Sequence, residues 1–312
     1  MGDDWYETVY RNKHSEINEF LDRKANTGRS HRTLNAYSRV LQRFYHDHFP
    51  ELKPGETQVY HIEEYLSILG TREVSQNTKR RYLECLSSFF SWAMKRPRYE
   101  EITGNPAAVV LEEIPKVIKD RPDCATWENG KKIIHHINDP RDRLVAVIMA
   151  KTGCRVSEAL GIEDDDLNLE DGFIRLRDRK GGKQTVVPID EETVRAVNQF
   201  QYVDQSRKQC DLLFVSYRNG NRLTRERIRR SVVDAAVRAE VMEKDEHRFE
   251  KKFTPHTYRT VFTTLMRNQG MKDHILQYIR GDSESETMDI YTKVDRNQAR
   301  EEYLKYIKPL DL

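Results

Sequence analysis

The sequence predicts a mainly α-helical protein in two domains, the second of which is mixed α+β with a small antiparallel sheet. The chain has 312 residues, enough for two domains of ordinary size. Apolar residues recur at helical spacing along most of it. Residues 172–189 instead alternate apolar and polar side chains around a Gly-Gly turn, which is typical of a β-hairpin.

The first domain is predicted to be a bundle of four helices over residues 15–114, after an N-terminal extension of residues 1–14. Ser30 and Ser75 precede two of the helices and are suited to N-caps. The four apolar groups are Ile17, Phe20 and Leu21; Tyr37, Val40, Leu41 and Phe44; Ile62, Tyr65, Leu66 and Leu69; and Tyr82, Leu83, Leu86, Phe89, Phe90 and Ala93. Residues 96–122 carry Pro97, Gly104, Pro106, Pro115 and Pro122 and break the periodicity. They predict an interdomain linker. We place the linker itself at residues 115–122 and the domain boundary near residue 118.

The second domain is predicted over residues 123–294. Helical patterns cover about 126–138, 139–152, 191–205, 224–240, 256–269 and 272–278. The hairpin joins strands at 172–177 and 185–189 through Lys180-Gly181-Gly182-Lys183. A tail helix follows within residues 295–312, with an apolar stripe formed by Ala299, Tyr303, Leu304 and Ile307.

Composition excludes several other classes of protein. The four cysteines (Cys85, Cys124, Cys154 and Cys210) form no CxxC pair and no zinc-like group with histidine, so we expect free thiols, no bound metal and no cofactor. The first ten residues are acidic and lack an apolar core, unlike a signal peptide. No apolar run reaches the roughly 18 residues of a membrane span. We therefore expect a cytoplasmic protein.

Five residues in the second domain carry the chemistry. Arg155 and Arg259 could bind phosphate oxygens, since a guanidinium forms bidentate hydrogen bonds and stays charged. His256 could move a proton near neutral pH, and Tyr291 could attack a phosphate and hold it covalently. With Lys180 at the hairpin turn, the set is sufficient to cut a phosphodiester without metal.

The order of these residues resembles the tyrosine recombinases, also called phage-type integrases. The motifs are Gly153-Cys154-Arg155-Val156-Ser157-Glu158, the hairpin Lys180, His256-Thr257-Tyr258-Arg259, and Tyr291 in Asp289-Ile290-Tyr291-Thr292. The resemblance extends from about residue 15 to 291. It implies that the first domain is a SAM-like core-binding domain, and that the two domains form a clamp around duplex DNA.

The resemblance also implies the role of each site residue. Tyr291 is the nucleophile, Arg155 and Arg259 bind the scissile phosphate, and His256 exchanges a proton. Lys180 is the general acid for the leaving 5′-oxygen, with Lys183 as its rival. Glu158, one helical turn after Arg155, is expected to support an arginine.

One position departs from the family pattern. Gly281-Asp282 stands nine residues before Tyr291, where the family usually has Gly-His or Gly-Trp. A carboxylate beside a phosphate repels it unless the carboxyl group is protonated or paired. Asp282 is therefore expected either to orient an arginine or to turn away while Arg280 or Lys293 supplies the missing donor.

Charge adds little to the case for DNA. Lys+Arg 53 against Asp+Glu 51 leaves a net charge of +2, so DNA affinity would depend on local patches. Two basic runs, residues 79–81 and 225–230, are either phosphate-binding surfaces or ordinary solvated faces. The candidate DNA-binding residues are Lys79, Arg80, Arg81, Lys183, Arg227 and Arg230.

The resemblance implies a site-specific recombinase. It would cleave and rejoin duplex DNA through a 3′-phosphotyrosine and a Holliday junction, as a tetramer on two DNA sites, with the tail helix docked on a neighbouring protomer. Three alternatives remain open: a type IB topoisomerase-like enzyme, a catalytically impaired DNA-binding relative, and a helical protein–protein adaptor.

Overall fold

The computed structural model of the chain describes residues 12–117, 121–177, 179, 184–203, 210–282 and 294–312. The chain divides into two compact units, residues 1–119 and 120–312, each with its own hydrophobic core. Both are mainly helical, and the second contains a three-stranded antiparallel sheet. The predicted fold class is therefore confirmed.

The first unit contains the four predicted helices: α1 (Ser15–Asn26), α2 (His31–Gln42), α3 (Val59–Thr71) and α4 (Gln76–Ala93). A short π-helical segment, Arg43–His48, continues α2. The Ser30 side chain accepts a hydrogen bond from the Thr33 amide and caps α2 as expected. Aromatic rings fill the core, where Phe20 packs edge-on against Phe89 and Trp92.

A fifth helix, α5 (Pro106–Glu113), lies in the stretch that the prolines indicated as a linker. Pro106 occupies the first helical turn, where the missing amide costs nothing, and the Asn105 side chain caps the helix by accepting from the Ala108 amide. Ala107 and Val110 are buried in the core of the first unit. These residues lie within the predicted first domain, residues 15–114, but the helix itself was not predicted, because a proline at a helix start reads as a break.

The second unit is arranged around α7 (Pro140–Thr152), which is buried along its length and packs against α11 (Pro255–Asn268). The other helices are α6 (Trp127–His135), α8 (Val156–Ala159), α9 (Glu191–Val203), α10 (Arg225–Arg238), α12 (Asp273–Arg280) and α13 (Arg296–Tyr306). Each predicted helix is present, with ends that differ by a few residues.

The sheet has the order β1 (Leu167–Asn168), β2 (Phe173–Leu176), β3 (Thr185–Pro188). The predicted hairpin pairs β2 with β3 in a register that sets Phe173 opposite Pro188 and Leu176 opposite Thr185. The two-residue strand β1 was not predicted, because it is too short to show alternation. The hairpin turn, residues 180–183, lies outside the described residues.

The tail helix α13 packs on its own unit, and its docking on a neighbouring protomer stays a prediction. Ala299 and Tyr303 are buried in the core of the second unit. The fully buried Lys151 ammonium joins the tail to α9, because it donates to Asp190 (2.6 Å), Glu192 (2.6 Å) and the Lys308 carbonyl (2.8 Å). Glu192 also accepts from the Leu310 and Leu312 amides.

Replacing Lys151 should strongly destabilise the protein. Lys151→Met keeps the apolar stem but leaves the largely buried carboxylates of Asp190 and Glu192 without their cation. This should lower the free energy of unfolding by about 3–5 kcal/mol. Urea denaturation should show a clearly lower midpoint. Arg195→Ala is the matched control, because Arg195 and Glu191 form an exposed pair worth about 1 kcal/mol or less. Equal midpoints for the two variants would contradict the prediction.

Candidate active site

Gly153 turns the chain between α7 and α8 and thereby sets the position of Arg155. Its φ of 63° is left-handed, and a Cβ there would lie 2.4 Å from the Phe262 ring. Both the backbone conformation and the close packing therefore require glycine. Arg155 follows at the N-terminus of α8, where its side chain remains partly exposed.

Glu158 holds Arg155 through two contacts. Its carboxylate accepts from the Arg155 amide at 2.9 Å and pairs with the Arg155 guanidinium at 2.8 Å. Glu158 is itself buried. A buried carboxylate that fixes both the backbone and the side chain of an arginine limits the directions in which the guanidinium can point. This geometry agrees with the supporting role expected from the sequence.

Arg259 is buried on α11 and donates to groups from two other segments. Its Nη1 donates to the Gly153 carbonyl (2.8 Å) and the Arg280 carbonyl (3.0 Å), and its Nη2 donates to Asp282 Oδ1 (2.5 Å). The end of α7, the first turn of α11 and the end of α12 therefore converge on one guanidinium.

His256 lies one turn before Arg259, at the exposed start of α11. Partial desolvation lowers the pKa of its imidazole, and the nearby charges of Arg259, Arg155 and Arg280 lower this pKa further. The imidazole is therefore mainly neutral at pH 7, the form that can accept a proton.

Asp282 faces the arginines, which is the first of the two orientations considered from the sequence. It follows Gly281, a left-handed residue that ends α12. Its Oδ1 lies 2.5 Å from Arg259 Nη2 and 3.9 Å from Arg155 Nη2, and its Oδ2 lies 3.2 Å from Arg280 Nη2. One carboxylate is thus surrounded by three guanidinium groups.

Arg179 was missed by sequence reasoning. It is buried, its Nε lies 3.8 Å from Glu158 Oε2, and its Nη1 donates to the Tyr278 carbonyl at 3.4 Å. A Cβ on Gly281 would lie 2.1 Å from Arg179 Nη1, so glycine is needed there for this approach. The residue directly precedes Lys180, but nothing in a polar hairpin sequence distinguishes a buried arginine from a solvated one.

Three predicted site residues, Lys180, Lys183 and Tyr291, lie outside the described residues. In the remaining DNA-binding set, Arg80 and Arg227 donate hydrogen bonds within their own unit, and Arg230 Nε lies 3.9 Å from Glu226. Arg80 donates to the Leu111 carbonyl (3.2 Å) and to that of Ile114.

Arg227 is the second of these arginines, since it pairs with Asp142 (2.9 Å) and Asp139 (2.7 Å). These contacts stabilise α5 and the start of α7, so fewer donors of Arg80 and Arg227 are available to a phosphate. Arg81 and Arg230 are exposed, and Lys79 is half-buried. The DNA-binding role of the set stays a prediction.

The part of the chain that the structure describes contains no cluster of three or more His, Cys, Asp or Glu side chains suited to a metal ion. Cys85, Cys124 and Cys154 are buried thiols, and burial raises the pKa of Cys154 to about 11. A search of the same residues finds no helix with the length and apolarity of a membrane span.

The imidazole of His256 should titrate below its usual pKa of about 6.5. Histidine-selective NMR titration can measure this, with the signal assigned by its loss in His256→Gln. Adding inorganic phosphate should raise the pKa, because a bound anion offsets the arginine charges. A pKa at or above 6.5 in the free protein would contradict this placement of His256 beside three arginines.

Two family models match the chain. The phage integrase N-terminal SAM-like domain matches residues 17–100, and the phage integrase family matches residues 126–298. The chain is 29% identical to the tyrosine recombinase XerC of Thermodesulfovibrio yellowstonii, over 93% of this chain and 95% of the relative. It is 27% identical to the tyrosine recombinase XerD of Shewanella oneidensis, over 91% and 94% respectively.

Solved structures show the same fold. A lambda integrase dimer bound to a COC′ core site matches with a TM-score of 0.69 and 18% identity, over 95% of this chain and 79% of that one. The Tn1549 transposon integrase in complex with a circular intermediate DNA matches with a TM-score of 0.68 and 20% identity, over 93% and 98%. Because the phage integrase model alone spans more than half of the sequence, the chain belongs to the phage integrase family, the tyrosine site-specific recombinases.

Proposed function

We propose that this protein cuts and rejoins duplex DNA at specific sites through a 3′-phosphotyrosine formed by Tyr291. The observation that carries the proposal is the convergence of Arg155 and Arg259, from separate helices, on a single carboxylate, with the His256 imidazole near both arginines. Side chains that converge on one anion can bind a phosphate and stabilise the charge that builds up on it during transfer.

The proposed cleavage step makes one bond and breaks one. The Tyr291 hydroxyl oxygen attacks the scissile phosphorus and loses its proton, for which the neutral imidazole of His256 is a suitable acceptor. The bond from phosphorus to the 5′-oxygen breaks, and Lys180 protonates that oxygen. Rejoining reverses the step with the 5′-hydroxyl of a partner strand. The ester conserves the bond energy, so neither ATP nor a metal ion is needed.

We further propose that the protein acts as a tetramer on two recombination sites and passes through a Holliday junction. Support comes from the similarity of its fold to lambda integrase, which has been solved as a tetramer bound to a Holliday junction (TM-score 0.69, 16% identity). Strand exchange between two duplexes requires four cleavages, so one tyrosine from each of four protomers accounts for the reaction.

A second candidate function is DNA binding without cleavage. The ion pair between Asp282 and Arg259 favours it, since a carboxylate at 2.5 Å competes with a phosphate for the same donors. The type IB topoisomerase alternative shares the chemistry of cleavage and differs in acting as a monomer, so the oligomeric state on DNA separates it from the recombinase.

Covalent trapping tests the role of Tyr291. The protein is incubated in chelator with nicked suicide duplexes whose half-sites are randomised, and the DNA in covalent adducts is sequenced. Wild type should yield adducts enriched in one sequence, and Tyr291→Phe should yield none, because it lacks the attacking oxygen. Tyr202→Phe is the matched control, since Tyr202 is exposed on α9. If wild type binds the duplex but forms no covalent adduct, the catalytically impaired DNA-binding relative is favoured.

A modified leaving group distinguishes Lys180 from Lys183. Lys180→Ala should slow adduct formation by about 10²–10⁴-fold on ordinary DNA, the usual contribution of a general acid. A 5′-bridging phosphorothiolate should restore most of this rate, because a thiolate leaves without protonation. Lys183→Ala should show no such rescue. If the phosphorothiolate rescues Lys183→Ala and does not rescue Lys180→Ala, Lys183 is the general acid.

A further inference from the structure

The carboxylate of Asp282 occupies the point at which three guanidinium groups of the site meet. Its two oxygens contact Arg259, Arg155 and Arg280 at 2.5, 3.9 and 3.2 Å. A phosphate offers the same features to these groups: a negative charge delocalised over oxygens that accept from several directions. The arrangement in the DNA-free protein is therefore one that a phosphate could take over.

Arg280 is built into this site and is not a mobile surface side chain. It is the last residue of α12, and its carbonyl accepts from Arg259 Nη1 at 3.0 Å, which fixes its backbone beside the neighbouring arginine. Its side chain is 23% exposed, so an anion in the site can reach it. Its buried Nε has no hydrogen-bond partner within the described part of the chain.

Among the side chains that the structure describes, the charges around Asp282 do not balance. Arg155, Arg179, Arg259 and Arg280 contribute four positive charges, and the two carboxylates of Glu158 and Asp282 contribute two negative ones. The cluster therefore has an excess of two positive charges before any anion binds. Such an excess favours a phosphate that gains a second negative charge as the tyrosine oxygen attacks it.

We propose that Asp282 holds the place of the scissile phosphate in the DNA-free protein, and that Arg280 is a third arginine that contacts this phosphate once DNA has displaced the carboxylate. The identity of the anion as a scissile phosphate rests on the proposed function. The contact itself requires only that a phosphate enters the site.

Binding of inorganic phosphate, followed by ³¹P NMR, tests the contact without DNA. Arg280→Ala should weaken binding by about tenfold or more, because one charged hydrogen bond is lost. Asp282→Asn should strengthen binding, since the competing negative charge is gone. Arg195→Ala, which removes an exposed arginine paired with Glu191 on α9, should bind as wild type does. Equal affinities for Arg280→Ala and Arg195→Ala, or no gain for Asp282→Asn, would overturn the proposal.

Methylphosphonate DNA tests the contact during cleavage. In this substrate a methyl group replaces one non-bridging oxygen, so the phosphorus centre is neutral. Arg280→Ala should slow adduct formation by about 10²–10³-fold on ordinary DNA. The loss should be at least about tenfold smaller on methylphosphonate, where there is less charge to stabilise. Because both rates come from one protein preparation, a partly folded variant leaves their ratio unchanged.

If Arg280→Ala slows adduct formation by the same factor on both substrates, Arg280 serves only to stabilise the structure, and the proposal is overturned. If wild type forms no adduct on either substrate, the proposed function fails instead. The phosphate titration still decides in that case whether Arg280 and Asp282 act on a bound anion.

Discussion

The site depends on the hydrogen bonds of one buried guanidinium. Arg259 donates to the carbonyl of Gly153, to that of Arg280 and to the carboxylate of Asp282. Arg259 belongs to α11; Gly153, at the end of α7, lies 106 residues before it, and α12 is the next helix after α11. A guanidinium has five donors in a rigid plane, so it can satisfy the ends of two helices and retain a donor for an anion. A lysine could not replace it in this geometry.

The glycines at these helix ends explain why the acceptors lie where Arg259 needs them. Gly153 and Gly281 both have left-handed backbones, and both meet a large neighbour where a Cβ would stand: Phe262 in one case and Arg179 in the other. Each glycine therefore ends its helix and allows close packing at the same time. Arg259 donates to the Gly153 carbonyl at the end of α7, and Arg179 donates to the Tyr278 carbonyl at the end of α12. The ends of these helices therefore also position the two guanidinium groups.

The sequence was sufficient for the fold class, for most helices and for the grouping of Arg155, His256 and Arg259, because helical periodicity and motif spacing are local signals. Other features depend on contacts that no local pattern records. The fifth helix of the first unit begins at a proline that reads equally well as a break. Arg80 and Arg227 belong to basic runs, yet their acceptors lie about 30 and 85 residues away. The burial of Arg179 follows only from the packing of α12.

Asp282 gains its significance from the same packing. Buried guanidinium groups without an anion repel one another, and burial lowers the pKa of Arg179, Arg259 and Arg280 alike. A carboxylate that the chain itself supplies relieves this repulsion before DNA arrives, at the cost of competing with the phosphate afterwards. A histidine or tryptophan at this position would have an N–H to donate to a phosphate, but it would carry no negative charge to neutralise the arginines. With Asp282 at this position, a direct hydrogen bond to the phosphate is lost, but the arginines are held in place before DNA binds. Arg280 is the cation that can supply the missing hydrogen bond.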